Sequence, residues 1–93
     1  MERCLLIKGR VQGVGYRYWA VRQAHAVGDI SGYAKNLENG DVAVLMQGEE
    51  NKLNALQIIL HKGPLFARVD SVIESPEYRP YFPPVVNGAF RRI

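Results

Sequence analysis

One cysteine in 93 residues, Cys4, excludes an intrachain disulfide. Two histidines, His25 and His61, stand far apart in the chain, and with a single thiol they make no ligand set, so neither a metal nor a cofactor is expected. Long apolar runs are missing too. The N-terminal stretch MERCLLIKGR has only four consecutive apolar residues, Cys4 to Ile7, far short of a secretory leader core or a membrane span. These absences imply a soluble chain in a reducing, cytoplasmic setting, with no membrane partner. There is no linker, repeat or low-complexity tract. The length fits a single domain over residues 1–93, with an adequate but thin core.

Acidic residues are absent from one whole region. Between Arg3 and Gly28 there are five cations (Arg3, Lys8, Arg10, Arg17, Arg22) and no acid, whereas Asp29 to Glu50 holds five acids against Lys35 alone. The net charge of +3 is therefore unevenly spread, which suits an anion-attracting region in the first third of the chain or, equally, a solvated basic face.

The patterning alternates between two periods. RCLLIKG, short and apolar before a glycine, predicts a strand over about 3–9. Tyr16, Ala20, Ala24 and Val27 recur at helical spacing, and Gly28 ends that helix. ISGYAKN predicts a strand to Asn36, with Asn39-Gly40 supplying the positive-φ chemistry of a hairpin turn before DVAVLMQ, where Val42, Val44 and Met46 share a face. A second helix is predicted over 49–62, with acids in its first turn, Leu53, Leu56 and Leu60 on one face, and Gly63-Pro64 as the stop. ARVDSVIES predicts a fourth strand, bulged because Val69 and Val72 are three apart. The Pro-rich segment 76–84 is expected to lack regular structure, and GAFRRI adds a short edge strand. The order β-α-β-β-α-β is that of a ferredoxin-like α+β two-layer sandwich, an antiparallel sheet with two helices on one face. A helical crossover makes the first two strands run the same way, so Gly9 and Asn36 end at the same edge of the sheet.

GRVQGVGYR, residues 9–17, carries the chemistry at that edge. A glycine-rich loop entering a helix N-terminus presents unpaired N–H groups on a concave face, which is an anion site. Gly13 and Gly15 allow close approach to a bound group. Arg17 in the first helical turn opposes the helix dipole, a misfit that disappears if a phosphate lies in the loop and takes the planar guanidinium fork. The plainer alternative is a tight strand-to-helix turn followed by a solvated arginine. GVGYRY lacks the third glycine of a dinucleotide fingerprint, and there is no Gly-Lys-Ser/Thr of a P-loop.

In GRVQGVGYR, in GYAKNLENGDV (32–42) and in Gly63-Pro64 followed by ARVDSV, the chain resembles the acylphosphatase family, in the family's order and with nearly its spacing, from Arg3 to Val72. The resemblance implies metal-free hydrolysis of acyl phosphates, carboxyl-phosphate anhydrides, to carboxylate and inorganic phosphate. It implies that Gln12, Gly13, Val14, Gly15, Tyr16 and Arg17 bind the phosphate, and that Asn36 positions the attacking water. The chain departs from the family's pattern at Asp29, an added residue, at Ala43, where an acid is common, and in the Phe90 to Ile93 spacing. The expected partner is a small-molecule acyl phosphate or inorganic phosphate, met by a monomer with no nucleic acid.

Phosphoryl transfer of this kind needs positioning and electrostatics rather than a side-chain nucleophile. Cys4, within a strand, is expected to be a small core residue. His25, about 12 Å along the helix from Arg17 at ~1.5 Å per residue, is expected to be structural or solvated. Tyr16, Tyr18 and Trp19 are expected to pack rather than stack on bases. Asparagine before a turn often bonds only nearby backbone, but Asn36 faces the phosphate loop with an amide able to both donate and accept. An RNA-recognition domain shares the element order, yet DVAVLMQG has none of the aromatics such a surface requires. A phosphate-binding or regulatory module without significant turnover is the remaining alternative.

Overall fold

The computed structural model describes residues 1–93. The elements run β1 (Glu2–Arg10), α1 (Tyr16–Val27), β2 (Ser31–Asn36), β3 (Val42–Gln47), α2 (Glu50–Lys62), β4 (Arg68–Glu74), a 3-10 helix (Pro76–Tyr81) and β5 (Phe90–Arg92). They form one sheet in the order β4-β1-β3-β2-β5 with both helices on one face. β1 and β2 each pair antiparallel with β3, which lies between them, so both run the same way and end at one edge.

The expectation of a wholly antiparallel sheet is corrected at one position. β5 pairs parallel with β2, Gly32 opposite Phe90. β4 runs opposite to β1 and β2, and the chain crosses from it to the far side of the sheet and turns back, so β5 is antiparallel to β4 and therefore parallel to β2. That crossing includes the segment expected to be irregular. Residues 76–81 instead form a 3-10 helix, with Pro76 in its first turn, where a missing N–H costs nothing.

The pleat sorts side chains between two layers. Leu5, Ile7, Ala34, Val42, Val44 and Met46 point toward the helices and meet Tyr16, Ala20, Leu53, Leu56 and Leu60 in the main core. Cys4, Tyr33, Ala43 and Leu45 point the other way and are covered by Phe82, Tyr78 and Val85 of the crossing segment. Cys4 is thus a buried core residue, and burial pushes its thiol up to about 11, away from nucleophile chemistry.

The Val69/Val72 irregularity is a bulge. Lys8 faces Ser71 while Gly9 faces Val69, which leaves Asp70 as the extra residue and lets both valines pack on the helix side. In the β2–β3 turn only Gly40 has a positive φ, and Asn39 acts through its side chain, bonding the N–H and carboxylate of Asp41. Gly28 and Gly63 end the two helices as expected, each N–H returning to the last turn.

Candidate active site

The loop 11–15 leaves β1 and enters α1 on the helix side of the sheet. Gly13 and Gly15 have φ of 73° and 77°, the left-handed region that an L side chain rarely adopts, and a Cβ at either position would meet nothing within 4 Å. The backbone turn itself therefore selects glycine, and the face it presents stays open. The first helix has no side-chain cap and no acid in its first turn. As a result, the main-chain N–H groups from Gln12 to Tyr18 donate to no acceptor within the protein, and the first bond of the helix is that of Trp19 to Gly15. A run of free N–H groups on a glycine turn, reinforced by the helix dipole, takes a tetrahedral anion.

Individual loop residues divide their work. Val11 is buried and Val14 packs against the core, anchoring the loop from below. The Gln12 side chain donates to Leu37 O at 2.6 Å and to Asp41 O at 2.9 Å, tying the loop to the β2–β3 turn. Sequence reasoning placed Gln12 at the phosphate but missed this brace, whose partners lie in another part of the chain. Tyr16 is buried, and its hydroxyl donates to Leu60 O at 2.7 Å; burial holds its pKa well above the usual tyrosine value. Only its main-chain N–H is available to a ligand.

Arg17, half-buried, donates from Nη1 to the main-chain oxygen of Ile93 at 2.8 Å, and Ile93 N in turn donates to Ala34 O. The guanidinium is thus parked beside the end of β2, with its remaining N–H groups uncommitted. No sequence signal pointed to Ile93, because the contact depends on where β5 docks. Asn36 occupies the last position of β2 and shares the helix-side parity of Ala34. Its Oδ1 is buried with no hydrogen-bond partner in the protein. A buried acceptor in that state is one that a water or ligand is built to meet.

Other candidates fall outside this arrangement. His25 Nε2 lies 3.2 Å from Phe90 O and braces β5 against α1. Tyr18 is exposed between Arg22 and Arg92, whose Cζ atoms lie 5.9 and 5.5 Å from its ring centroid, while Trp19 packs against Tyr16 at 5.5 Å. Lys8 Nζ bonds Asp41 at 2.9 Å and holds the turn that carries the brace.

The fold and this edge define a class: a small ferredoxin-like α+β domain whose first strand ends in a glycine turn with free N–H groups, at the same edge as the asparagine that ends a strand running the same way. The acylphosphatase family pattern matches residues 4–83. An acylphosphatase of Geobacter sulfurreducens is 49% identical over 77 residues, 82% of this chain and 84% of the relative. The acylphosphatase from Bacillus subtilis superposes with a TM-score of 0.80 at 30% identity, covering 99% of this chain and 97% of that one. T. kodakarensis HypF contains a similar domain, TM-score 0.78 at 28% identity, that makes up 12% of its length. The chain belongs to the acylphosphatase family.

Proposed function

We propose that this chain hydrolyses acyl phosphates, with the phosphoryl group held by the N–H groups of Gln12, Gly13, Val14, Gly15, Tyr16 and Arg17 and by the Arg17 guanidinium, and the attacking water oriented by Asn36. The observation that carries the reading is the row of N–H groups without internal acceptors beside a parked arginine. Family membership supplies the reaction class, hydrolysis of an acid anhydride.

The chemistry follows from the parts. Water attacks phosphorus, the bond from phosphorus to the acyl oxygen breaks, and the carboxylate leaves with the electron pair. The water's proton passes to a phosphoryl oxygen. Charge gathers on the phosphoryl oxygens in the loose transition state, where the fixed amides and the bidentate fork stabilise it without reorganising. Asn36 Oδ1 accepts a hydrogen bond from the water and so aims its lone pair at phosphorus, while the proton that is lost goes to the phosphoryl oxygen. The enzyme acts in this reading as a cytoplasmic monomer on a small molecule, without nucleic acid and without a metal. No helix is long and apolar enough to cross a membrane.

The test is turnover of benzoyl phosphate, with and without a chelator, by the wild type and by Asn36→Ala. Activity unaffected by chelation is expected. Asn36→Ala should lower kcat about 10- to 100-fold, less than the ~10²–10³ typical of a lost charge-stabilising donor, and leave the inhibition constant of phosphate nearly unchanged. Normal kcat with a lowered Tm would reduce Asn36 to a turn-shaping residue. Absence of turnover in the wild type would favour the binding-only module.

A further inference from the structure

α1 and β5 meet along a strip that holds cations and no acid. α1 contributes Arg17, Arg22 and His25, and β5 contributes Arg91 and Arg92. Arg92 shares the helix-side parity of Phe90, and Tyr18 and Arg22, one turn apart, lie on the side of α1 where His25 reaches Phe90 O. Two guanidinium groups therefore converge on one ring: Arg22 Cζ is 5.9 Å and Arg92 Cζ 5.5 Å from the Tyr18 centroid. We infer that Tyr18, Arg22 and Arg92 form a second anion subsite, which takes a carboxylate or phosphate on the acyl part of a substrate whose phosphoryl group lies in the 12–17 loop. The inference rests on the functional reading above and adds the charge class of the acyl group.

The subsite adjoins the loop on both of its walls. On α1, Tyr18 directly follows Arg17, and its own N–H ends the row that has no internal acceptor. On β5, Arg92 directly precedes Ile93, whose oxygen receives Arg17 Nη1 at 2.8 Å. One residue on each segment thus separates the first anion site from the second, a step of about 3.8 Å along the backbone. Tyr18, Arg22 and Arg92 are all exposed, so the side chains are open to a ligand that lies on this surface.

The internal contacts of the cluster leave its donors idle. None of the ion pairs includes Arg22 or Arg92, neither guanidinium donates a hydrogen bond, and the Tyr18 hydroxyl has no partner. A ring face offsets part of a cation's charge but offers no lone pair to its N–H groups. Two like charges gathered on one ring also repel, over a distance that physiological salt screens only with a length of about 8 Å. A bound anion offsets that repulsion and meets the planar forks of both arginines. With cations over the ring, the site selects by charge rather than by apolar contact.

The experiment compares wild type with Arg22→Gln, Arg92→Gln, the double variant and Arg91→Gln. Arg91 has the opposite parity in β5, so its variant makes the same charge change on the other face of the sheet. Calorimetry measures binding of phosphonopropionate, propylene bisphosphonate and propylphosphonate. The wild type should favour at least one of the two-anion compounds over propylphosphonate by about tenfold, and which one it favours assigns the second group as carboxylate or phosphate. Arg92→Gln should cut the preference to about threefold and the double variant should abolish it, while Arg91→Gln keeps it. The ratio of kcat/KM for meta-carboxybenzoyl phosphate to that for benzoyl phosphate should fall in step, with kcat/KM for benzoyl phosphate held within about twofold. A preference absent from the wild type, or unchanged in the double variant, would overturn the subsite. So would an equal loss in Arg91→Gln, which would reduce the arginines to a diffuse attracting field. If the wild type binds the phosphonates with this preference but hydrolyses neither acyl phosphate, the catalytic reading fails and the subsite stands.

Discussion

The two helices begin in opposite ways. α2 starts at Glu49 with Glu50 in its first turn, and one N–H of that turn is used within the protein: Lys52 N bonds Glu49 O and the Asn51 side chain, ahead of the regular bond of Leu53 N to Glu49 O. α1 starts at a left-handed Gly15 with no acid in its first turn and Arg17 as its second residue, and the N–H groups of Tyr16, Arg17 and Tyr18 have no internal acceptor. Both ends carry the same backbone dipole. One carries an acid and an internal hydrogen bond in its first turn. The other has neither, and that difference supports the proposed site more directly than the glycines do.

Arg17→Ala breaks the contrast at its strongest point. Turnover of an acyl phosphate should fall ~10²–10³-fold, the usual loss for one preorganised donor to developing charge, and Arg17→Lys should recover little because an ammonium lacks the planar fork. A folded Arg17→Ala protein that keeps half its turnover would move the active site elsewhere. An intermediate effect is expected from making α1 resemble α2. Tyr18→Glu puts an acid at the third position of the helix, where it complements the dipole and can pair with Arg22 and Arg92, so Tm should not fall. The same charge repels the ligand, and inhibition by phosphate should weaken about fivefold. Unchanged inhibition would mean that the bound anion sits beyond reach of this turn. The smallest effect belongs to Glu50→Gln. Losing a few tenths of a kcal/mol of dipole complementarity should lower Tm by roughly 1–4 °C in a domain of this size, with kcat/KM unchanged. A change in turnover would show that the two helix ends are not separable.

What could be read before the structure was whatever depends on local chemistry. The element order, the apolar faces of both helices, the bulge at Val69 to Val72, and the convergence of the glycine loop with Asn36 follow from period, turn residues and the handedness of a crossover. What could not be read depends on docking over long sequence separations. The parallel pairing of β5, the Ile93 contact of Arg17 and the brace from Gln12 to Leu37 and Asp41 each join segments that carry no mark of one another. The order in the Pro-rich segment is hidden from the sequence for a different reason. Proline forbids the interior of a long helix but is tolerated in a short, two-turn 3-10 segment, and the tyrosines within it gain their meaning only once it lies across the sheet.

The place of β1 inside the sheet, between β4 and β3, governs how quickly the chain can assemble. β1 is bordered by β3 on one side and by β4 on the other, with Leu5 opposite both Val44 and Glu74. During synthesis it emerges before either partner, an apolar strand with two bare edges, and waits until both have left the ribosome. Closing such large loops is entropically slow compared with forming either helix, so refolding should be slower than that of a helical bundle of equal length. The charged ends of the strand, Glu2, Arg3, Lys8 and Arg10, flank its apolar centre and guard it against premature pairing with other copies during that wait.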